Sequence, residues 1–174
     1  MAWIVKDSAN AKIERRDEPY LGDALKAKLT ADILPRYPTK RAALLPALHA
    51  VQHEYGWIPP QALEEIGVFL SLTAAEVLDT ASFYEEYYLQ PKGRHLIQIC
   101  QSIACELCGH ENLLEKVRAK LGIDIGQTTE DGRFTLVTLE CIGACGGAPA
   151  VLLDEMLHEN QTWAKLEAAI DALK

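Results

Sequence analysis

At 174 residues with 49% apolar content, the chain is long enough for one ordinary domain or two small ones, and it needs no disulfide framework to fold. A formal net charge of −8, with Lys and Arg scattered along the chain, argues against nucleic-acid binding. No apolar run approaches the ~18 residues that cross a bilayer, and the opening MAWIVKDSANAKIERRDEP has neither a secretory apolar core nor a basic transit helix, so a soluble cytoplasmic protein without direct membrane insertion is expected.

Residues 1–18 are polar and largely aperiodic and read as an N-terminal arm, loose or docked on a partner. Residues 19–90 carry helical periodicity and read as a bundle of four helices. YLGDALKAKLTADILPRY sets Leu25, Leu29 and Ile33 four apart and ends near Pro35 and Pro38. In TKRAALLPALHAVQHEYG, Thr39 is the expected cap, Leu44, Leu45, Leu48 and Val51 form one face, Pro46 predicts a kink and Gly56 a C-terminal cap. PPQALEEIGVFLSL starts a third helix with Pro in its first turn, and Thr73 with Glu76 forms a T-x-x-E capping box for TAAEVLDTASFYEEY. Trp57 is expected between helices, and Phe83, Tyr84, Tyr87 and Tyr88 in core packing or in contact between domains, in preference to a docking surface.

After Tyr88 the pattern changes, and residues 91–174 read as a compact α/β unit, the boundary falling within QPKG. HLIQIC is a strand, a loop carries the first cysteines, and HENLLEKVRAKLG is a helix closed by Gly122. Asp131-Gly132 turns into FTLVTLEC, a strand with apolar residues on both faces and so expected to be buried on both. PAVLLDEMLH holds a further strand and turn, and Thr162 caps a last helix, TWAKLEAAIDAL. For Pro149 a cis bond is one reading, but most X-Pro bonds are trans, so sequence alone supports trans. No strand-linked G-x-G-x-x-G and no Walker loop is present, so the chain itself shows no nucleotide site.

All five cysteines lie in this second unit, spaced Cys100-x4-Cys105-x2-Cys108 and Cys141-x3-Cys145. Clustered thiols in a reducing compartment point to metal or redox chemistry rather than crosslinks or simple burial. Each group hangs from the end of a predicted strand, so two loops can meet around one centre. A [2Fe-2S] cluster takes four thiolates, two per iron, and Gly143, Gly146 and Gly147 permit the backbone to wrap closely. Four-thiolate zinc fits the same intervals, and Cys105-x2-Cys108 alone would suit a dithiol oxidoreductase but leaves three thiols unexplained. A plant-type set of Cys100, Cys105 and Cys108 with one late cysteine also satisfies the spacing, whereas no C-x-H supports a Rieske centre. The helix pattern after Cys108 favours Cys100, Cys105, Cys141 and Cys145, with Cys108 spare. Glu106 and Glu140 either lower the potential of a cluster or are simply solvated, and His110 either donates to a cluster sulfide or, the preferred reading, is a surface histidine at a helix start.

The runs YPTKRAALLPALHAVQHEYGWIPPQALEEI, EVLDTASFYEEYYLQPKG, CQSIAC and KLGIDIGQTTEDGRFTLVTLECIGACGGAPAV resemble the small thioredoxin-like [2Fe-2S] subunit of NADH:quinone oxidoreductase (complex I), a family that also serves NAD-reducing hydrogenases and NAD-dependent formate dehydrogenases. The resemblance covers roughly residues 30 to 170. It implies an α+β fold, an N-terminal helical bundle followed by a thioredoxin-like [2Fe-2S] ferredoxin domain, with Cys100, Cys105, Cys141 and Cys145 as ligands. It implies a flavoprotein partner that carries FMN, a [4Fe-4S] cluster and the NADH site, inside a larger oxidoreductase complex through which this chain is peripheral to the membrane. The chain would carry electrons without a complete active site of its own. Cys108 stands where the family normally has another residue.

Overall fold

The structure, a computed structural model, describes residues 15–173. It divides into two compact units, one ending at Gln90 and the other beginning at Pro91. Residues 1–14 of the expected arm lie outside the described residues. The described remainder is tied to the first unit: Arg15 Nη2 donates to both carboxylate oxygens of Glu64 at 2.7 and 2.8 Å. The Arg16 guanidinium lies 3.7 Å from the Tyr20 ring centroid, within cation–π range.

In the first unit, α1 (Asp23–Lys28) continues through a π-helical turn, Leu29–Ile33, and a 3-10 turn, Leu34–Arg36. Two local features account for the loss of regular α-geometry. Thr30 Oγ1 donates to the Lys26 carbonyl at 2.7 Å, and Pro35 has no N–H to offer the carbonyl four residues back. The second predicted helix is split earlier than expected. A 3-10 turn, Arg41–Ala43, precedes α2 (Leu44–Tyr55), so Pro46 is the third α-helical residue. A first-turn N–H has no partner inside its own helix, which makes proline harmless there and places the discontinuity at Ala43 rather than at Pro46. Gly56 ends α2 at φ 78°, its N–H bonded to the Gln52 carbonyl at 2.7 Å.

Helix α3 (Pro60–Leu70) begins on Pro60 as predicted, and α4 (Ala74–Phe83) has the full capping box. Thr73 N–H donates to Glu76 Oε2 at 2.9 Å and Glu76 N–H to Thr73 Oγ1 at 3.3 Å. Helix α4 stops four residues before Tyr87, because the chain turns extended at Tyr84 to bury Tyr87, whose Oη donates to the Leu45 carbonyl at 3.1 Å. The aromatic cluster is thus divided: Tyr87 is in the core, whereas Phe83 and Tyr84 are exposed. Leu48, Val51, Ile58, Ile66, Leu70 and Val77 are fully buried in this core, each contributing about 1.5–3 kcal/mol by leaving water. No single helix among the described residues is long and apolar enough to cross a membrane.

The second unit is a four-stranded mixed sheet in the order β2-β1-β3-β4, built from β1 (His95–Cys100), β2 (Phe134–Leu139), β3 (Val151–Leu153) and β4 (Met156–His158). Strands β1 and β2 are parallel, linked through α5 (Ile103–Leu107) and α6 (His110–Leu121), while β3 runs antiparallel to both β1 and β4. Helix α7 (Trp163–Ala172) closes the unit, with the Thr162 hydroxyl accepting from Lys165 N–H as its cap. Ile97, Ile99, Val117, Leu136, Leu166 and Ile170 form the buried interior. Burial of β2 is complete only at Phe134–Leu136, and its later residues are half-exposed, so the expectation of two covered faces holds for half the strand. The architecture is α+β, a helical unit followed by an α/β unit.

Candidate metal centre

The register of β1 and β2 brings the two cysteine groups together. Cys100 ends β1 and stands opposite Leu139, which ends β2. The two loops therefore leave the sheet side by side, and Gln101 N–H donates to the Leu139 carbonyl at 3.0 Å. A side-chain bridge adds a second tie: Gln101 Nε2 donates to Glu140 Oε1 at 2.9 Å.

Four of the five thiols form two pairs. Cys105 sits in α5, a five-residue helix where sequence reasoning expects only a loop, and packs with Cys100 and Ala150 in one buried cluster. Cys141 and Cys145 place their sulfurs 3.5 Å apart. The charge of Cys145 acts on Cys105 and that of Cys100 acts on Cys145, so the two pairs feel one another. Cys108 belongs to neither pair and is exposed at the C-terminal boundary of α5. Among the described residues no three His, Cys, Asp or Glu side chains form a ready group for a single ion; the arrangement is two and two.

The pairs differ in environment. Cys100 and Cys105 are each 2% exposed and pack on Ala150. The Ala150 carbonyl accepts from Cys100 N–H at 3.2 Å, and the Ala150 backbone also hydrogen-bonds the Cys105 sulfur. Burial, as the largest cause, pushes the Cys105 thiol above the ordinary cysteine range. Cys141 and Cys145 are exposed. The Gly143 N–H donates to Cys141 Sγ at 3.4 Å and is the main reason that thiol is lowered, with Cys145 and the Ser102 hydroxyl also helping. Cys145 is raised, chiefly through its bond to Cys141. Gly143 has φ 79°, a left-handed conformation that a side chain would strain and that turns its N–H toward sulfur. A Cβ on Gly147 would collide with the Glu159 side chain, so this turn also excludes larger residues.

Sequence reasoning missed three contributors. Ser102 precedes α5 in the N-cap position yet makes no capping bond, its hydroxyl being engaged by Cys141. Ala150 acts through its backbone, which leaves no side-chain signal. Gln101 is recognisable only once the strand register is known. Two expectations change. The Ala148–Pro149 peptide is cis rather than trans, a choice within reach of the fold because X-Pro bonds prefer trans by only about 0.5–1 kcal/mol. His110 is half-buried, with Nδ1 covered and unpaired, rather than a solvated surface residue. Glu106 and Glu140 are both exposed.

The donor set fits an iron–sulfur group: four sulfurs in two pairs, with backbone N–H groups and a hydroxyl directed at them. A model of the thioredoxin-like [2Fe-2S] ferredoxin family matches residues 30–174. The chain is 43% identical over 122 residues to a subunit of the NADH-quinone oxidoreductase of Pseudomonas aeruginosa, covering 70% of this chain and 74% of that one. It is 40% identical over 142 residues to NADH-quinone oxidoreductase subunit 2 of Thermus thermophilus, covering 80% and 78%. Among solved structures it resembles an NAD+-reducing [NiFe]-hydrogenase in the air-oxidized state, with TM-score 0.65 and 29% identity over 75% of this chain; it spans 22% of that hydrogenase chain.

Proposed function

This chain belongs to the thioredoxin-like [2Fe-2S] ferredoxin family, and from that membership we propose that it is the electron-transfer subunit of an NADH:quinone oxidoreductase module, with Cys100, Cys105, Cys141 and Cys145 holding one [2Fe-2S] cluster that is reduced from the FMN of a partner flavoprotein subunit. The partner, not this chain, binds FMN, NADH and a [4Fe-4S] cluster, and the whole assembles in the cytoplasm against the membrane. When bound, a [2Fe-2S] cluster supplies a one-electron acceptor and donor.

The observation that carries this reading is the two-and-two disposition of the sulfurs. A binuclear centre needs one thiolate pair for each iron, and the sheet delivers a pair from each of two neighbouring loops. Cys100, Cys105 and Ala150 hold the inner side dry, while Cys141 and Cys145 leave the outer side open to a partner. On α5, the helix that carries Cys105, Ile103 and Leu107 stand one turn apart, 74% and 84% exposed, an apolar pair suited to docking.

Purified protein is expected to be red-brown, to contain two irons and two acid-labile sulfides per chain, and to give a rhombic electron-paramagnetic resonance signal after dithionite. A colourless protein with one zinc per chain would establish the competing reading, a zinc-stabilised interaction module. The likeness to the hydrogenase favours a second parent assembly for the same role, and a formate dehydrogenase would be a third. Identifying the proteins that co-purify decides between them.

A further inference from the structure

The most acidic stretch of the sequence coincides with an exposed aromatic platform. From Glu54 to Pro91 there are seven carboxylates and no Lys, Arg or His. Three of the seven have partners within the first unit: Glu64 with Arg15, Glu76 with Arg41, and Glu65 with the Leu21 N–H. Asp79, Glu85 and Glu86 are exposed around the end of α4.

There Phe83 is 77% exposed and Tyr84 44%, their rings edge to face at 5.1 Å. They are not loose. Tyr84 rests edge-on against Tyr87 at 6.2 Å, and Tyr87, only 7% exposed, is fixed by its bond to the Leu45 carbonyl and by the His49 ring at 5.0 Å. Leu45 itself is 36% exposed beside this anchor. A single surface phenylalanine is ordinary, but a row of rings mounted on a buried tyrosine and bordered by carboxylates has two properties at once. Ring faces attract cations, guanidinium above all, and the carboxylates supply opposite charge.

We propose that this face is a docking site for an arginine- or lysine-bearing segment of another protein in the assembly. The guanidinium or ammonium group lies over Phe83 or Tyr84 and pairs with Glu85, Glu86 or Asp79. The charge repels nucleic acid and anionic lipid, and a second copy docked face to face would bring the same acidic face. The site lies outside the cysteine constellation and rests on the proposed reading only in that the chain works within a larger assembly.

Phe83→benzoylphenylalanine, introduced into the chain in its native host, is expected to crosslink on irradiation to one site on a different protein, within a few residues of Arg or Lys. Glu85→Lys with Glu86→Lys should cut the fraction of chain co-migrating with its assembly on native gels by about tenfold, and Phe83→Ala by about fivefold or more, with Phe83→Trp restoring it. Raising the salt concentration should weaken retention of the native chain more than that of the double charge variant. Because these side chains are exposed, thermal unfolding of the isolated variants should match the native chain. An assembly that forms normally with the double variant, or a crosslink that is absent, falls on a second copy or falls on an acidic segment, overturns the docking site while leaving the electron-transfer reading intact. A native chain that migrates alone overturns both.

Discussion

The two cysteine pairs proposed to share one cluster stand on opposite kinds of ground. Cys100 and Cys105 are 2% exposed, one ending a central strand and the other inside a short helix, both against Ala150. Cys141 and Cys145 are exposed on a glycine-rich turn whose geometry comes from Gly143 and Gly147 rather than from apolar packing. The inner pair is therefore part of the core of its unit and the outer pair is not. Such a division puts mechanical support on one side of a cofactor and access on the other.

Removing an inner thiol should have the largest effect. Cys105→Ala is expected to abolish iron binding and also to destabilise the apo protein by about 1–2 kcal/mol, because the substitution opens a gap in a fully packed site. Urea unfolding of the apo chains and iron analysis read the two effects separately. Cys141→Ala should lose most of the bound iron, yet leave apo stability within about 0.5 kcal/mol of the native chain, as for other surface changes. Equal destabilisation by both variants would break the contrast between the pairs.

How much of this contrast was legible in the sequence depends on the distance over which each signal acts. The Thr73–Glu76 box, the Gly122 stop and the Thr162 cap are local, and each acts in the structure as expected. Pro46 misled because its effect depends on where α2 begins, and that start is shifted to Leu44. Helix α4 ended early because Tyr87 found a place against Leu45, a contact 42 residues apart that no local periodicity encodes. At the site, spacing grouped the thiols, but their division into a buried and an open pair follows from the register that puts Cys100 opposite Leu139. Backbone donors such as Gly143 N–H, and the second tie through Gln101 and Glu140, are products of the same register.

A smaller effect should come from Ser102, which spans the two loops. Its hydroxyl makes no capping bond at the start of α5 and helps to lower the Cys141 thiol. A hydrogen bond donated to a ligand sulfur favours the more negative, reduced state, so Ser102→Ala should lower the midpoint potential of the proposed cluster. At about 0.5–1.5 kcal/mol for one neutral hydrogen bond, the shift is about 20–60 mV for one electron. Ser102→Thr keeps the donor and should keep the potential, as followed by redox titration of the resonance signal. An unchanged potential in the alanine variant would mean that the outer pair is tuned by backbone donors alone.

The least effect is expected at Cys108, and that expectation discriminates most among ligand sets. Cys108 is the exposed fifth thiol, three residues beyond Cys105 but at the far end of α5, and it joins neither sulfur pair. Cys108→Ser should leave iron and sulfide content, the visible spectrum and the resonance signal unchanged. A plant-type ligand set built on Cys100, Cys105 and Cys108 requires the opposite, loss or marked alteration of the centre, because one iron would be left with a single thiolate. A dithiol mechanism through Cys105 and Cys108 requires that any thiol–disulfide activity vanish with the substitution. The same variant made in the Cys141→Ala background tests whether the exposed thiol can substitute for an outer ligand: partial iron retention that disappears when Cys108 is also replaced would show that the open pair can be re-formed from a neighbouring sulfur, which the buried pair, enclosed around Ala150, does not permit.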